Sequence, residues 1–160
     1  PAVVYLINTV LQEVITSGTA KNSRLYGMPQ GVCGKTGTSD DLRDSWFVGF
    51  TPDLIVTVWL GSDEYRSIGH TGSSGAMPIA SMILSRLSPA VTWPVPQDVV
   101  ICSVDPSNGK LAGFWSDGKG VSIPYIRGTE PQEVSEENTP WVWSVLKSLW
   151  DRKTPDPKAR

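Results

Sequence analysis

Between residues 32 and 60 the chain alternates short apolar runs with turns too brief to join anything except neighbouring strands. Ser45-Trp46-Phe47-Val48-Gly49-Phe50-Thr51 reads as one strand, Pro52-Asp53 turns it back, and Leu54-Ile55-Val56-Thr57-Val58-Trp59-Leu60 reads as the next. So short a turn joins antiparallel partners. Residues 32–38 read as a further strand, set off by a charged turn at Asp40, Asp41, Arg43 and Asp44. Both faces of the two later runs are apolar, which implies a sheet covered on both sides.

The segments around this block are helical in period. Val3, Ile7, Val10 and Val14, with Val4, Leu11 and Ile15 beside them, make a broad stripe that stops at Ser17-Gly18. Residues 21–31 read as a loop, and the Gly- and Ser-rich residues 61–75 as a longer one. A second helix is expected to begin between Ser74 and Pro78, with Ala80, Ile83, Leu84 and Leu87 on its apolar face. Pro89, Pro94 and Pro96 mark a boundary. Beyond it, short β-like runs alternate with Asp105-Pro106-Ser107-Asn108-Gly109 and Ser116-Asp117-Gly118, both turn signals. Thr139-Pro140 looks like the start of a Trp-rich helix carrying Trp141, Trp143 and Trp150, and the last ten residues read as disordered. The expected organisation is therefore a main part over 1–90, a small β-rich extension over 91–135, and a helix with a tail over 136–160.

Fourteen basic residues against 16 acidic ones, a net charge of −2, give no nucleic-acid footprint. No apolar run is long enough to span a bilayer. The chain begins at Pro1, inside an apolar-periodic segment, as a piece of a longer protein would. Cys33 and Cys102 are too few for a disulfide framework and read as small, inert side chains.

The stretch with chemistry in it is Gly34-Lys35-Thr36-Gly37-Thr38-Ser39. Lys35 offers a cation able to hold a carboxylate and to bias proton transfer beside a nucleophile. Gly37 lets another backbone approach the strand, so that a peptide could add to it as a further strand. Thr36 and Thr38 offer hydroxyls, and the Thr38 N–H suits half of an oxyanion hole. As a bare tripeptide, Lys-Thr-Gly is better read as an ordinary edge strand with a solvated lysine and two β-preferring threonines. It is also one of the signatures of serine β-lactamases and penicillin-binding proteins.

Residues 16–61 resemble the C-terminal half of the transpeptidase domain of bifunctional (class A) penicillin-binding proteins. The resemblance rests on Ser17-Gly18-Thr19-Ala20, Gly34-Lys35-Thr36-Gly37-Thr38-Ser39 and Arg43-Asp44-Ser45-Trp46-Phe47-Val48-Gly49-Phe50-Thr51-Pro52-Asp53. It continues through Val58-Trp59-Leu60-Gly61-Ser62-Asp63 and Gly72-Ser73-Ser74-Gly75-Ala76-Met77-Pro78-Ile79. Val104-Asp105-Pro106-Ser107-Asn108-Gly109 and Gly128-Thr129-Glu130-Pro131 resemble that family's C-terminal extension.

The resemblance implies an α+β fold: the C-terminal portion of the penicillin-recognising serine transpeptidase/β-lactamase-like fold, an antiparallel sheet covered by helices on both faces, with a small β extension. It implies a catalytic role for Lys35 and substrate binding by Thr36, Gly37, Thr38 and Ser39. The implied partners are peptidoglycan stem peptides, β-lactams and an upstream part of the same domain, with no metal or organic cofactor. The implied location is outside the cytoplasm, anchored through an upstream segment. In that family a serine attacks the penultimate D-alanine carbonyl, D-alanine leaves, and an amine of a second peptide takes the acyl group.

The chain departs from the family pattern in one respect. S-x-N does not occur, and Ser144-Val145-Leu146-Lys147 has the S-x-x-K spacing on the wrong side of Lys35. The expectation is an upstream nucleophile and an inactive 160-residue chain. The competing functions are a non-catalytic β-lactam sensor or protein-interaction module and, more weakly, a secreted β-lactamase. His70 reads as a solvated loop histidine and the Asp40–Asp44 cluster as a charged turn. The Trp-rich helix reads as docked on its own domain, with a membrane surface or a partner as the alternative.

Overall fold

The structure, a computed structural model, describes residues 1–113 and 120–135. The described residues fall into two compact units, Pro1–Pro96 and the residues from Gln97 onward. The expected Trp-rich helix and tail, Ser144-Val145-Leu146-Lys147, and the Ser116-Asp117-Gly118 turn all lie outside the described residues.

In the first unit, α1 spans Ala2–Thr16. It ends where the Ser17 and Gly18 N–H groups both bond the Glu13 carbonyl, at 3.0 and 2.9 Å. Gly18 passes so close to the helix that a Cβ there would lie 2.7 Å from Val14 Cα, which is why a glycine sits at this exit. A 3-10 helix over Lys21–Tyr26 occupies part of the expected loop.

Three strands follow: β1 (Cys33–Thr38), β2 (Ser45–Phe50) and β3 (Ile55–Leu60), in that order across one antiparallel sheet. Gly37 faces Trp46 and Thr38 faces Ser45 in one pair, while Trp46 faces Trp59 and Phe47 faces Val58 in the other. Opposed residues share a face and neighbours along a strand alternate. Phe47, Gly49, Val56 and Val58 therefore lie on one face, and Trp46, Ile55 and Trp59 on the other.

The helix α2 (Ala76–Leu87) packs on the first of these faces. Met77, Ala80 and Leu84 are buried with Phe47 and Val56, and Leu84 Cδ1 stands 3.1 Å from where a Gly49 Cβ would be. Truncating a ring as enclosed as Phe47 to alanine costs about 3–5 kcal/mol. The buried face runs through Ala76, Met77, Ala80, Ser81 and Leu84. Ile83 and Leu87, which helical spacing assigned to the core side, are exposed at 36% and 65%. Spacing alone marks a wide stripe, and the sheet takes only the part that meets Gly49 and Phe47.

The other helix meets β1, with Ile15 against Gly34 and the Cys33 thiol donating to the Asn8 carbonyl at 3.4 Å. Burial raises the Cys33 pKa, so this thiol stays protonated and inert. What α1 does not do is bury its stripe: Val3, Val4, Ile7 and Val10 are 54–63% exposed. The second sheet face is open in the same way, with Trp46 at 43%, Trp59 at 45% and Ile55 at 67%. Both helices touch the sheet, yet within the described residues they leave these surfaces uncovered.

Residues 91–96, which the prolines assigned to the extension, are tied to the first unit. The Val91 N–H bonds the Gln30 carbonyl at 2.9 Å, and Trp93 Nε1 bonds the Gly31 carbonyl at 2.8 Å.

In the second unit β4 (Val99–Val104) pairs antiparallel with β5 (Val121–Ile126). Leu111 bridges to Val104 on one side and to Val134 on the other. The Asp105–Gly109 turn is closed by its own aspartate. Oδ1 of Asp105 accepts from the Ser107 N–H and hydroxyl at 2.9 and 2.7 Å, and Oδ2 accepts from the Ser135 hydroxyl at 2.7 Å. These bonds, the Ser107 hydroxyl first, pull the Asp105 pKa from 3.8 down to about 2. Cys102 is a half-buried free thiol.

Candidate functional site

Lys35, Thr36, Gly37 and Thr38 lie in β1, an edge strand of its sheet among the described residues. Antiparallel pairs alternate between those that exchange hydrogen bonds and those that do not. The Ser39 N–H bonds the Asp44 carbonyl at 3.2 Å. Counting back from there in twos, Gly37–Trp46 and Lys35–Val48 are the bonded pairs. The backbone N–H and C=O groups of Thr36 and Thr38 therefore point away from β2, toward the outer edge of the sheet. An extended peptide laid along that edge would meet this row of groups.

The side chains are placed as follows. Lys35 is exposed and its ammonium donates to the Thr36 carbonyl at 2.7 Å, which brings the cation to the same outer edge. The Thr36 hydroxyl is 2.7 Å from that of Thr19. The Thr38 hydroxyl accepts from the Gly72 N–H at 2.9 Å and keeps its own proton to donate. Gly37 makes room for Trp46, whose Cβ lies 3.1 Å from where a Gly37 Cβ would be. The Ser39 hydroxyl turns inward and accepts from the Asp44 N–H at 2.8 Å. Lys35, Thr36 and Thr38 are thus strung along one edge, while Ser39 closes the turn behind it.

That turn is held firmly. Asp41 and Leu42 both have left-handed φ, 57° and 55°. The Leu42 carbonyl accepts from the Ile68 N–H at 2.9 Å, Arg43 pairs with Asp41 at 2.9 Å, and the Arg43 guanidinium lies 5.0 Å over the Tyr65 ring. Asp44 accepts from Trp59 Nε1 at 2.9 Å, and that bond, with Ser39, holds its carboxyl below the usual range. The cluster is a braced turn, as its charges implied. His70 stands in its loop with Nδ1 3.5 Å from the Ser74 hydroxyl. Among the described residues no group of three or more His, Cys, Asp or Glu could hold a metal ion. None of the described helices is long and apolar enough to cross a membrane.

Sequence reasoning missed three residues that support the strand: Thr19, Ser45 and Gly72. Their only sequence signal was membership in the segments that carry the family resemblance. It also passed over two further S-x-x-K spacings, Ser107–Lys110 and Ser116–Lys119. The first is no nucleophile–base pair. The Ser107 hydroxyl donates to Asp105, and the Lys110 ammonium pairs with Glu133 at 2.9 Å. The second lies outside the described residues.

No family model matches the chain. It is 34% identical over 127 residues to penicillin-binding protein 1A of Aquifex aeolicus, which covers 76% of this chain and 17% of that protein. It is 38% identical over 112 residues to penicillin-binding protein 1A of Rickettsia bellii, covering 67% of this chain and 14% of that one. The crystal structure of penicillin-binding protein 1A from Haemophilus influenzae superposes on 84% of this chain and 21% of its own, with a TM-score of 0.70 and 26% identity. The chain thus spans about a fifth or less of the proteins it matches, and its fold is the transpeptidase-like fold of that neighbour.

Proposed function

We propose that this chain, a relative of the C-terminal part of class A penicillin-binding proteins, supplies the substrate-holding strand of a peptidoglycan D,D-transpeptidase. The observation that carries the proposal is the outer edge of β1. The Lys35 cation and the backbone groups of Thr36 and Thr38 line it together.

A stem peptide lies along that edge as an added strand, and Lys35 and the Thr38 hydroxyl hold its carboxylate. A serine from residues upstream of Pro1 adds to the penultimate D-alanine carbonyl. The Thr38 N–H receives the developing oxyanion, D-alanine leaves with a proton, and an amine of a second peptide takes the acyl group and frees the serine. β-Lactams enter the same edge and stay on the serine. The protein works outside the cytoplasm, in cell-wall synthesis, and is anchored by residues upstream.

The uncovered α1 stripe and the exposed Trp46–Trp59 face support packing against those upstream residues. The test is labelling with a fluorescent penicillin, surviving denaturing electrophoresis, of the full-length protein and of the 160-residue chain. Label on the first and not on the second is expected. Tight but non-covalent penicillin binding by the full-length protein would replace catalysis with a sensor role.

A further inference from the structure

We propose that Gly72 and Ser45 are positioning residues for acyl transfer, acting through the backbone of Gly37 and Thr38. The proposal rests on the reading that the Thr38 N–H receives the substrate oxygen.

Gly72 is buried against the sheet directly over the bonded Gly37–Trp46 pair. A Cβ on it would lie 2.5 Å from the Gly37 carbonyl oxygen, 2.6 Å from the Trp46 carbonyl oxygen and 2.9 Å from the Gly37 nitrogen. All three atoms are backbone, so no side chain can swing aside. With any residue larger than glycine, either the residue 72 loop or the β1–β2 backbone must shift, which in both cases changes the Gly72–Thr38 contact. The requirement is close approach, since Gly72 is not among the glycines with positive φ. In the same place the Gly72 N–H donates to the Thr38 hydroxyl at 2.9 Å. One residue therefore sets both the height of the strand at Gly37 and the side-chain direction of Thr38.

Ser45 holds Gly72 there. It faces Thr38 across the sheet and is fully buried. Its hydroxyl donates to the Thr71 carbonyl at 2.8 Å and accepts from the Ala76 N–H at 2.9 Å. One hydroxyl thus grips the loop on both sides of Gly72, at the start of α2. The Met77 N–H bonds the Gly72 carbonyl at 2.9 Å and makes the loop continuous with that helix. The position of the Thr38 N–H is passed from α2 through Ser45 and Gly72 to β1. Neither residue need touch substrate. An oxyanion donor works only within a few tenths of an ångström of its place, so small shifts there slow the chemistry more than they weaken binding.

The experiment uses the full-length protein with Gly72→Ala and, as a milder change that introduces no clash, Ser45→Ala. Benzylpenicillin acylation is resolved into the dissociation constant of the first complex, the rate constant of the covalent step, and the fraction of molecules labelled at saturation. Misplacing a catalytic group by up to an ångström costs up to about a hundredfold. We expect the covalent step to slow by about tenfold or more in Gly72→Ala and by about threefold to tenfold in Ser45→Ala. The dissociation constant, which also feels the Thr38 hydroxyl, should change less than the rate constant, and the labelled fraction of folded protein should stay near wild type. An unchanged rate constant per labelled molecule, with only the labelled fraction or the melting temperature reduced, would make both residues structural and overturn the proposal. If Gly72→Ala does not fold, Ser45→Ala decides by the same criterion. A wild-type protein that takes no label would remove the transpeptidase reading and this inference with it, whereas normal labelling of wild type and both variants removes the inference alone.

Discussion

Trp59 Nε1 donates to Asp44 Oδ1 at 2.9 Å, so the far strand of the sheet is bonded to the turn that follows the Lys-Thr-Gly-Thr segment. Asp44 immediately precedes β2, whose first residues pair with Leu60 and Trp59, so the bond joins neighbouring segments; it is exposed, which makes it a convenient reporter. Asp44 has a lowered pKa because the charged carboxylate accepts from Trp59 and then from Ser39. The bond should hold above the ordinary aspartate pKa of 3.8 and break as pH falls through a lower midpoint. Tryptophan fluorescence should show this acid transition in the wild type and lose it in Asp44→Asn. A transition that survives in Asp44→Asn would assign it to another group.

The second unit should show its own acid response. With a folded pKa of about 2 against 3.8, Asp105 stabilises its turn fully above about pH 4, and that contribution is lost as pH falls toward 2. The Ser107 amide proton, bonded to Oδ1, should titrate with a midpoint near 2 by NMR. Ser135→Ala removes one of the bonds to the charged form and should move the midpoint upward. A midpoint at or above 3.8 in the wild type would contradict the observed network.

Lys35 separates a chemical role from a structural one. An exposed lysine contributes at most about 1 kcal/mol to folding. In the full-length protein, Lys35→Ala should therefore leave the melting curve nearly unchanged. Acylation by a β-lactam should slow about tenfold for every 1.4 kcal/mol by which the transition state is destabilised. Lys35→Arg keeps the charge in a different shape and should be impaired, though less than alanine. Unchanged acylation in Lys35→Ala would remove the main residue-level support for the proposed function.

The exposed stripe of α1 predicts opposite effects in two settings. The 160-residue chain by itself should bind a hydrophobic dye and self-associate, and Ile7→Lys with Val10→Lys should reduce both. In the full-length protein the same pair of changes should lower the melting temperature by about 5 °C or more. A monomeric 160-residue chain that binds no dye would mean that these residues need no cover.

Much of this architecture was legible because its signals are local. A two-residue turn dictates that β2 and β3 are antiparallel, helical spacing announces α1 and α2, and a charged cluster marks the turn after β1. The segment Gly34-Lys35-Thr36-Gly37-Thr38-Ser39 drew notice to the strand on which the proposed function rests, through its place in an ordered series of family-like motifs. The tertiary structure decided what those signals leave open. Helical spacing marked Ile83 and Leu87 as readily as Leu84, and only packing against Gly49 and Phe47 selected among them. The stripe of α1 was plain, yet its exposure depends on what else is present to cover it. Gly72 reads as one more loop glycine until the fold sets it, 34 positions from Thr38, on the backbone of Gly37. Pattern records what each few residues prefer by themselves. Close approach between distant backbones exists only once the sheet and α2 have met.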